Sequence, residues 1–296
     1  MQKKIVDSSP DISAGGRADR YWSRRKTEKP ISSSIHSKIP VSVKRKGGID
    51  QYDLLKMYRL KGFEWGNWLS ASDRADRLSA AAMSFRDLSI IMKSKNLGFD
   101  GILGVAFGAR GQSRALAHFE PSTFMINITK ERGAGSLAHE YGHAIDYFFG
   151  MYIDQNLAYS SLVGGGSLVQ NLKNNKGGQL RTIANEIVNS IILYNGQVSE
   201  SYKRIMESGE YWRRRNEIWA RFFEQYVSFE LKKYNVSNPF LSKLKYESKY
   251  YLTKKDFDRV KPMMDTFVKV VSKKMNENAT SSVEVKRGKI AATNKK

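Results

Sequence analysis

The sequence has no cysteine, few histidines and a marked deficit of acidic residues. Its 296 residues include four histidines, and 29 aspartates and glutamates stand against 50 lysines and arginines. Without cysteine the chain forms no disulfide bond and offers no thiolate to a metal ion. The formal net charge of +21 favours contact with polyanions such as nucleic acid. Histidine and carboxylate side chains are therefore the candidate metal ligands.

Long hydrophobic runs are also missing from the sequence. It contains no stretch of about 18 uncharged apolar residues, the length that a helix needs to cross a bilayer. The N-terminal residues lack the apolar core of a secretory signal. We therefore expect no membrane partner and no secretion by a signal peptide.

Charge and composition divide the chain into three parts. Residues 1–50 carry twelve basic and five acidic side chains, and residues 271–296 carry seven and two. Both segments hold few large apolar residues, which predicts disordered basic tails around a folded domain at residues 51–270. Tyr21 and Trp22 stand close to Arg24 and Arg25, a combination that can bind single-stranded DNA or RNA without sequence specificity.

Apolar periodicity predicts one α+β domain that is mostly helical, with a small sheet beside the helix at residues 137–149. The other predicted helices are at residues 51–60, 72–95, 180–195, 211–234 and 255–271. Strands are predicted at 102–107 and 123–129, an aromatic turn at 63–68, and a glycine-rich loop between about 164 and 178. That loop can be a mobile flap, although an ordinary surface loop is the default.

His139, Glu140 and His143 form the pattern His-Glu-x-x-His, which is typical of zincins. Histidines four residues apart lie on the same face of a helix, so both imidazoles can reach one tetrahedral Zn²⁺. The glutamate that follows the first histidine can act as general base towards a water that the metal acidifies. The preceding strand, and Ser136 as an N-cap residue, fit the start of such a helix.

A hydrolytic zinc site of this kind needs a third protein ligand, and the acidic residues give three alternatives. They are Glu186, Glu217 and Glu224. We favour Glu217 because Ala220, three residues further on, allows close approach of another helix, although Glu217 can equally be an ordinary solvated side chain. Asp146 lies one turn beyond His143, where orienting an imidazole suits it better than binding the metal.

Several sequence blocks, in the same order, resemble a predicted metallopeptidase-type family called large polyvalent protein-associated domain, the first of its series. They span most of residues 57–231 and lie at Gly62–Trp68, Leu103–Gly111, Ala117–Pro121, Ile126–Lys130, Gly133–Asp146 and Glu217–Tyr226. The resemblance implies a zincin-like fold and strengthens Glu217 as the third ligand. That family occurs in phage and mobile-element proteins, which implies a location in the host cytoplasm or the virion. The chain lacks the partner modules that often accompany this domain, so a role in processing a polyprotein is not indicated.

Two further residues are candidates for contact with a substrate. Arg110 lies at a glycine-flanked turn, where it can reach a carbonyl or carboxylate of a substrate or pair with Glu120. His118 can stabilise an oxyanion if its strand forms the wall of the cleft, and a structural hydrogen bond is its other role.

The expected function is a zinc-dependent metallopeptidase that cleaves a polypeptide lying along the strand at residues 123–129. Two alternatives remain: a protease that acts on DNA-bound proteins through its basic tails, and a non-catalytic virion or DNA-binding protein with a structural zinc site.

Overall fold

The computed structural model describes residues 31, 35–39, 44–45, 48–67, 69–109, 116–130, 133–154, 160–164 and 178–277. Among these residues the helices are α1 (Gln51–Tyr58), α2 (Ala71–Ile91), α3 (Leu137–Ile153), α4 (Gly178–Ile192), α5 (Glu200–Met206), α6 (Glu210–Arg213), α7 (Arg215–Lys233) and α8 (Lys254–Asn276). The strands are β1 (Lys44–Arg45), β2 (Gly48–Ile49), β3 (Phe63–Trp65), β4 (Gly104–Phe107), β5 (Ala117–Glu120), β6 (Met125–Ile128), β7 (Leu193–Tyr194) and β8 (Gln197–Val198). The α+β class with mainly helical content is confirmed.

The main sheet has four strands in the order β3-β4-β6-β5. Strands β3, β4 and β6 are parallel, whereas β5 pairs antiparallel with β6 and forms an edge of the sheet. The aromatic turn predicted at residues 63–68 is wrong in its first half, because Phe63 to Trp65 pair with β4 as a strand. Two short antiparallel pairs, β1-β2 and β7-β8, lie outside this sheet.

Helix α2 illustrates how local sequence determines an element. The Ser70 hydroxyl accepts a hydrogen bond from the Asp73 backbone N–H, and the Asp73 carboxylate accepts from the Ser70 backbone N–H, which is a capping box. The apolar residues that recur at helical spacing in α2 and at its end are buried: Leu78, Ala81, Ala82, Phe85, Leu88 and Met92. Residues beyond Met92 leave the helix, because Lys93 has a positive φ of 51°.

The single helix predicted at residues 211–234 is interrupted in the structure. Arg214 has φ −61° and ψ 134°, an extended conformation that ends α6 and precedes α7. This break sets Tyr211 and Trp212 apart from the long helix that carries Glu217. The interruption follows from tertiary contacts: the Trp212 ring stacks on the Tyr250 ring with centroids 3.8 Å apart.

Helices α3 and α7 pack together closely in the buried core. A Cβ atom built on Gly142 would lie 3.2 Å from the Ala220 Cα, a tight contact that a larger residue could adopt only if the helices moved apart by a few tenths of an ångström. The Trp219 indole N–H also donates to the Gly142 carbonyl at 2.9 Å. The prediction that Ala220 permits close helix contact is therefore confirmed.

Parts of both segments predicted as disordered tails, residues 1–50 and 271–296, are instead packed against the domain or helical. Ile35 is buried, the Ser37 hydroxyl donates to the buried Asp87 carboxylate, and the His36 N–H donates to the Ser237 carbonyl. At the other end, α8 continues to Asn276, beyond the predicted domain boundary at residue 270. Residues 1–30 and 278–296, which hold most of the predicted tails, lie outside the described residues. No described helix combines the length and apolar character that a membrane crossing requires.

Candidate metal centre

Helix α3 carries the His-Glu-x-x-His residues near its buried N-terminal end. It follows β6 in the chain and begins at Leu137, as the sequence predicts. His139, Glu140 and His143 are each less than 10% exposed. The capping prediction is wrong in one respect: Ser136 is the N-cap residue, but its side chain makes no capping hydrogen bond. Strands and packing position this helix, with the Ala138 N–H donating to the Leu241 carbonyl at 2.9 Å.

Helix α7 brings Glu217 against both histidines. Its Oε1 lies 3.4 Å from His143 Nε2, and its Oε2 lies 3.6 Å from His139 Nε2. One ligand atom from each of His139, His143 and Glu217 lies within 4.8 Å of the others, and all three residues are buried. Two imidazole nitrogens and one carboxylate oxygen are a donor set that suits a hydrolytic zinc ion with a remaining open position.

The other acidic candidates occupy different environments. Glu186 is exposed on α4, so it does not point into this buried cluster. Glu224 is 1% exposed, and its Oε2 lies 3.7 Å from His139 Nδ1, on the other side of the ring from Glu217. The Tyr251 hydroxyl donates to the same Glu224 oxygen at 3.1 Å. Glu224 is therefore placed to orient His139, and Glu217 is the acidic candidate that lies together with both histidines in a group that could hold a metal ion.

Asp146 has a different role from the one expected for it. Its carboxylate accepts hydrogen bonds from the Ser161 hydroxyl, at 2.7 and 2.9 Å to its two oxygens, and from the Val163 N–H at 3.1 Å. The Arg215 side chain donates to the Val163 carbonyl at 2.6 Å. Asp146 therefore anchors residues 161–163 to α3, and through Arg215 this segment is joined to the start of α7.

The charges within the cluster are strongly coupled. Burial would lower the pKa of His139, but its attraction to Glu217 and Glu224 outweighs burial and raises the pKa to about 10. Burial would raise the pKa of Glu217, but the two imidazoles hold it well below its usual range. At 3.6 and 3.7 Å the His139 contacts are longer than good hydrogen bonds, so the attraction is mainly electrostatic. A cation at His139 Nε2 would replace the proton that faces Glu217, while the Nδ1–H would still face Glu224.

Arg221 supports Glu217 from inside the protein. This arginine is 1% exposed, and its Nη1 donates to Glu217 Oε2 at 3.2 Å. Its Nη2 donates to the Trp212 carbonyl, and its guanidinium lies 4.9 Å from the centre of the Trp212 ring. Because Arg221 holds Oε2, the Oε1 atom beside His143 is the oxygen that remains available to a metal.

A cleft of about 470 Å³ lies over these residues. Its floor includes His139, Glu140, His143 and Glu217. The rest of the lining comes from β5 and its flanks, from Tyr147 on α3, and from the region around α6 and the 246 loop: Leu116, Ala117, His118, Phe119, Pro121, Tyr211, Asn216 and Tyr246. The candidate ligands and Glu140 therefore face a space large enough for a segment of another molecule.

Strand β5, not β6, borders the cleft. The expectation of a polypeptide lying along residues 123–129 is wrong, because β6 is paired on both sides, with β4 and with β5. The Leu116 carbonyl accepts a hydrogen bond from the Thr129 N–H. Hydrogen-bonded and non-hydrogen-bonded pairs alternate along an antiparallel ladder, so the backbone N–H and C=O groups of Ala117 and Phe119 point away from β6. The Phe119 N–H donates to the Glu140 carboxylate.

Of the two other predicted catalytic residues, His118 and Arg110, the structure describes only His118. His118 lies on β5 opposite Asn127. The neighbouring Phe119 ring contacts the Tyr147 ring of α3, with centroids 5.7 Å apart, so strand alternation directs the His118 imidazole away from α3. His118 is nevertheless among the residues that line the cleft, so the oxyanion contact predicted for it stays a prediction. Arg110 lies outside the described residues.

Three tyrosines and one arginine of the site were missed by the sequence analysis. Tyr147, Tyr211 and Tyr246 line the cleft, and Arg221 contacts Glu217. Burial and the nearby Glu140, Glu217 and Glu224 carboxylates raise the pKa of Tyr246 to about 12. Tyr246 is distant in sequence from the histidines, and its only local signal is the cluster of tyrosines at 246, 250 and 251.

Comparisons with known proteins are consistent with part of the resemblance found in the sequence. Neither the curated proteins nor the solved structures contain a match to the chain. Residues 204–275, which hold Glu217, Arg221, Glu224 and Tyr246 but not the two histidines of α3, match the family model described as Large polyvalent protein-associated domain 1.

Proposed function

We propose that this protein is a zinc-dependent metallopeptidase with a zincin-like fold. The single observation that carries the proposal is the convergence of His139, His143 and Glu217 on the floor of a cleft, with Glu140 beside them. Two elements far apart in the chain supply these residues, so a short chance motif does not account for their meeting. A buried cluster of this composition is costly to maintain unless a ligand satisfies it.

The donor set and its spacing favour zinc. Two histidines and one carboxylate also hold iron in some oxygenases, but histidines four residues apart on one helix, with a glutamate after the first, are typical of zinc hydrolases. Zinc bound here would supply an acidified water and polarise the scissile carbonyl group. His139 and His143 would bind through the nitrogens that face Glu217, and Glu217 through Oε1.

Glu140 has the position and the environment of a general base. Burial raises the pKa of its carboxyl, while the two histidines partly offset this rise. A carboxylate with a raised pKa is better matched to taking up a proton at neutral pH. In the proposed reaction Glu140 takes a proton from the attacking water and delivers it to the amine that leaves.

A polypeptide substrate fits the exposed edge of β5. The outward N–H and carbonyl of Ala117 and the outward carbonyl of Phe119 can pair with an extended chain, which is a common mode of peptide recognition. Such a chain would pass directly over the helix that carries Glu140. The exposed strand edge and the candidate ligands face one cleft, and together they support cleavage of a peptide bond. A structural zinc site, the alternative, is expected to have a fourth protein ligand.

Action on DNA-bound proteins stays a prediction. It depends on the basic segments at the two ends of the chain, and most of those residues lie outside the described part. No contact among the described residues favours it over the simpler peptidase, so we retain it as a secondary hypothesis.

The proposal is tested by the variant Glu140→Gln in zinc-loaded full-length protein. A proteome-derived peptide library incubated with the wild type should show cleavage by mass spectrometry, and the variant should hold zinc but lose at least about 10²-fold of the rate. Glu186→Gln, at an exposed position of α4, is the matched control and should cleave like the wild type. Persistent cleavage by Glu140→Gln, or no cleavage by fully zinc-loaded wild type, would refute the proposal.

The substrate path has its own test. Ala117→Pro removes an N–H that faces the cleft and not β6, so the fold should tolerate it while peptide binding weakens. We expect a higher KM with normal zinc content. His118→Pro, one residue on, removes an N–H that faces β6 and should instead lower stability. Equal KM for Ala117→Pro and wild type would argue against binding along β5.

A further inference from the structure

The candidate ligands and Glu140 include no hydrogen-bond donor that could assist zinc in stabilising the scissile carbonyl oxygen. Attack of water on a carbonyl carbon places negative charge on the carbonyl oxygen, and a hydrogen-bond donor beside that oxygen accelerates the reaction strongly. Glu140, Glu217 and Glu224 can only accept hydrogen bonds when ionised. Arg221 is already engaged by Glu217 and the Trp212 carbonyl. A donor must come from elsewhere in the cleft wall.

Three tyrosines reach the cleft, and their hydroxyl groups are in different situations. The Tyr211 hydroxyl is hydrogen-bonded to Glu217, so it is committed to a ligand. Burial raises the pKa of Tyr147, and the carboxylate with the largest further effect on it is the buried Asp146, its neighbour on α3. The Tyr246 hydroxyl makes no hydrogen bond to any described residue, and among the carboxylates Glu140 contributes most to its raised pKa. Of the three, Tyr246 therefore offers an available donor, and it lines the same cleft as Glu140.

Packing fixes the Tyr246 ring in this position. It meets the His139 ring edge-to-face with centroids 6.2 Å apart, and the Trp212 ring in the same manner at 4.9 Å. Its backbone N–H donates to the Tyr251 hydroxyl, which is itself bonded to Glu224. A donor held by its neighbours loses little entropy when a substrate arrives, which is the condition for effective stabilisation of a transition state.

We propose that Tyr246 is a catalytic residue whose hydroxyl donates a hydrogen bond to the developing oxyanion of the scissile carbonyl. This inference rests on the proposed peptidase function and replaces the oxyanion role predicted for His118. No covalent bond to Tyr246 forms or breaks: the water proton passes to Glu140, and the phenol keeps its own proton throughout. The phenol acts only while negative charge is present, so it should affect kcat more than KM.

The test compares Tyr246→Phe with Tyr147→Phe and Tyr211→Phe, all fully loaded with zinc. In the peptide-cleavage assay, Tyr246→Phe should lower kcat on the order of 10²-fold with little change in KM or zinc content. Tyr147→Phe should behave like wild type, and Tyr211→Phe should chiefly weaken zinc binding. An unchanged kcat in Tyr246→Phe, beside an active wild type, would overturn the inference.

A second measurement does not need turnover. N-phosphorylleucinamide carries a tetrahedral anion that resembles the charged transition state, and its Kd for each zinc-loaded variant is measurable by calorimetry. We expect at least tenfold weaker binding to Tyr246→Phe and unchanged binding to Tyr147→Phe. Equal affinity for the wild type and Tyr246→Phe would reject the role of Tyr246, whereas a wild type that binds the probe as expected but cleaves no peptide would reject only the peptidase function.

Discussion

Gly142 of α3 faces Ala220 of α7 so closely that a methyl group on the glycine would lie 3.2 Å from the Ala220 Cα. This contact sets the separation of the helix that carries both histidines from the helix that carries Glu217. The Gly142 position is one of the two unspecified places in the His-Glu-x-x-His pattern, and here the packing of α3 on α7 favours a small residue.

Substitution Gly142→Val should therefore disturb both stability and metal binding. Overpacking of a core costs roughly 1–3 kcal/mol, and displacement of α3 from α7 separates the candidate ligands. Urea unfolding and zinc titration measure the two effects. Glu186→Val is the control, because it places the same side chain at an exposed helical position and should cost well under 1 kcal/mol. A Gly142→Val protein as stable as this control would show that the helix contact is not restrictive.

Zinc binding should release a proton from His139. The pKa of His139 in the metal-free protein is raised to about 10, so the imidazole is protonated at pH 8 and must lose that proton to bind zinc. Calorimetric titrations at pH 8 in buffers of different ionisation enthalpy should report about one proton released per zinc. Affinity should rise with pH and level off near pH 10. A heat that is independent of the buffer would contradict the coupling.

The same shift has a consequence for the stability of the metal-free protein. Because the pKa of His139 in the folded protein is raised above the ordinary histidine value of 6.5, its interaction with Glu217 and Glu224 stabilises the fold fully below pH 6.5. This contribution is lost as the pH rises through about 10. Zinc-loaded protein should not show the loss over this range, since the bound imidazole is already neutral.

Glu224 should affect metal affinity without being a ligand. Substitution Glu224→Gln removes the charge that lies 3.7 Å from His139 Nδ1. Loss of such an orienting partner typically lowers the affinity for the metal by about 10- to 100-fold. Tyr251→Phe removes only the hydrogen bond to Glu224 and should have a smaller effect. A zinc affinity in Glu224→Gln as low as in Glu217→Ala would assign Glu224 to the metal instead.

The local parts of this site could be predicted from sequence, because they depend on helical periodicity. His139 and His143 share a face of α3 for the geometric reason that applies to any helix, and the extent of α2 follows from its apolar stripe. The third ligand is more difficult to predict from sequence. Glu186 and Glu217 both lie in helical patterns, and only the packing of α7 on α3 separates the exposed residue from the buried one.

The parts that depend on tertiary structure could not be predicted. Phe63 to Trp65 form a strand only because β4 lies beside them, and Arg214 breaks a continuous helical pattern where Trp212 packs on Tyr250. The position of β5 at the sheet edge is a property of strand order, which the sequence of one strand does not contain. Tyr246 reaches the cleft through a loop whose path no periodicity describes.

The central claim is that one zinc ion binds to His139, His143 and Glu217, and metal analysis of the purified, zinc-reconstituted protein tests it most directly. We expect about one zinc per wild-type chain, the same content in Glu186→Ala, and loss of zinc in Glu217→Ala with the fold retained by circular dichroism. A wild type that never reaches stoichiometric zinc, or a Glu217→Ala variant that binds zinc as tightly as wild type, would contradict the account.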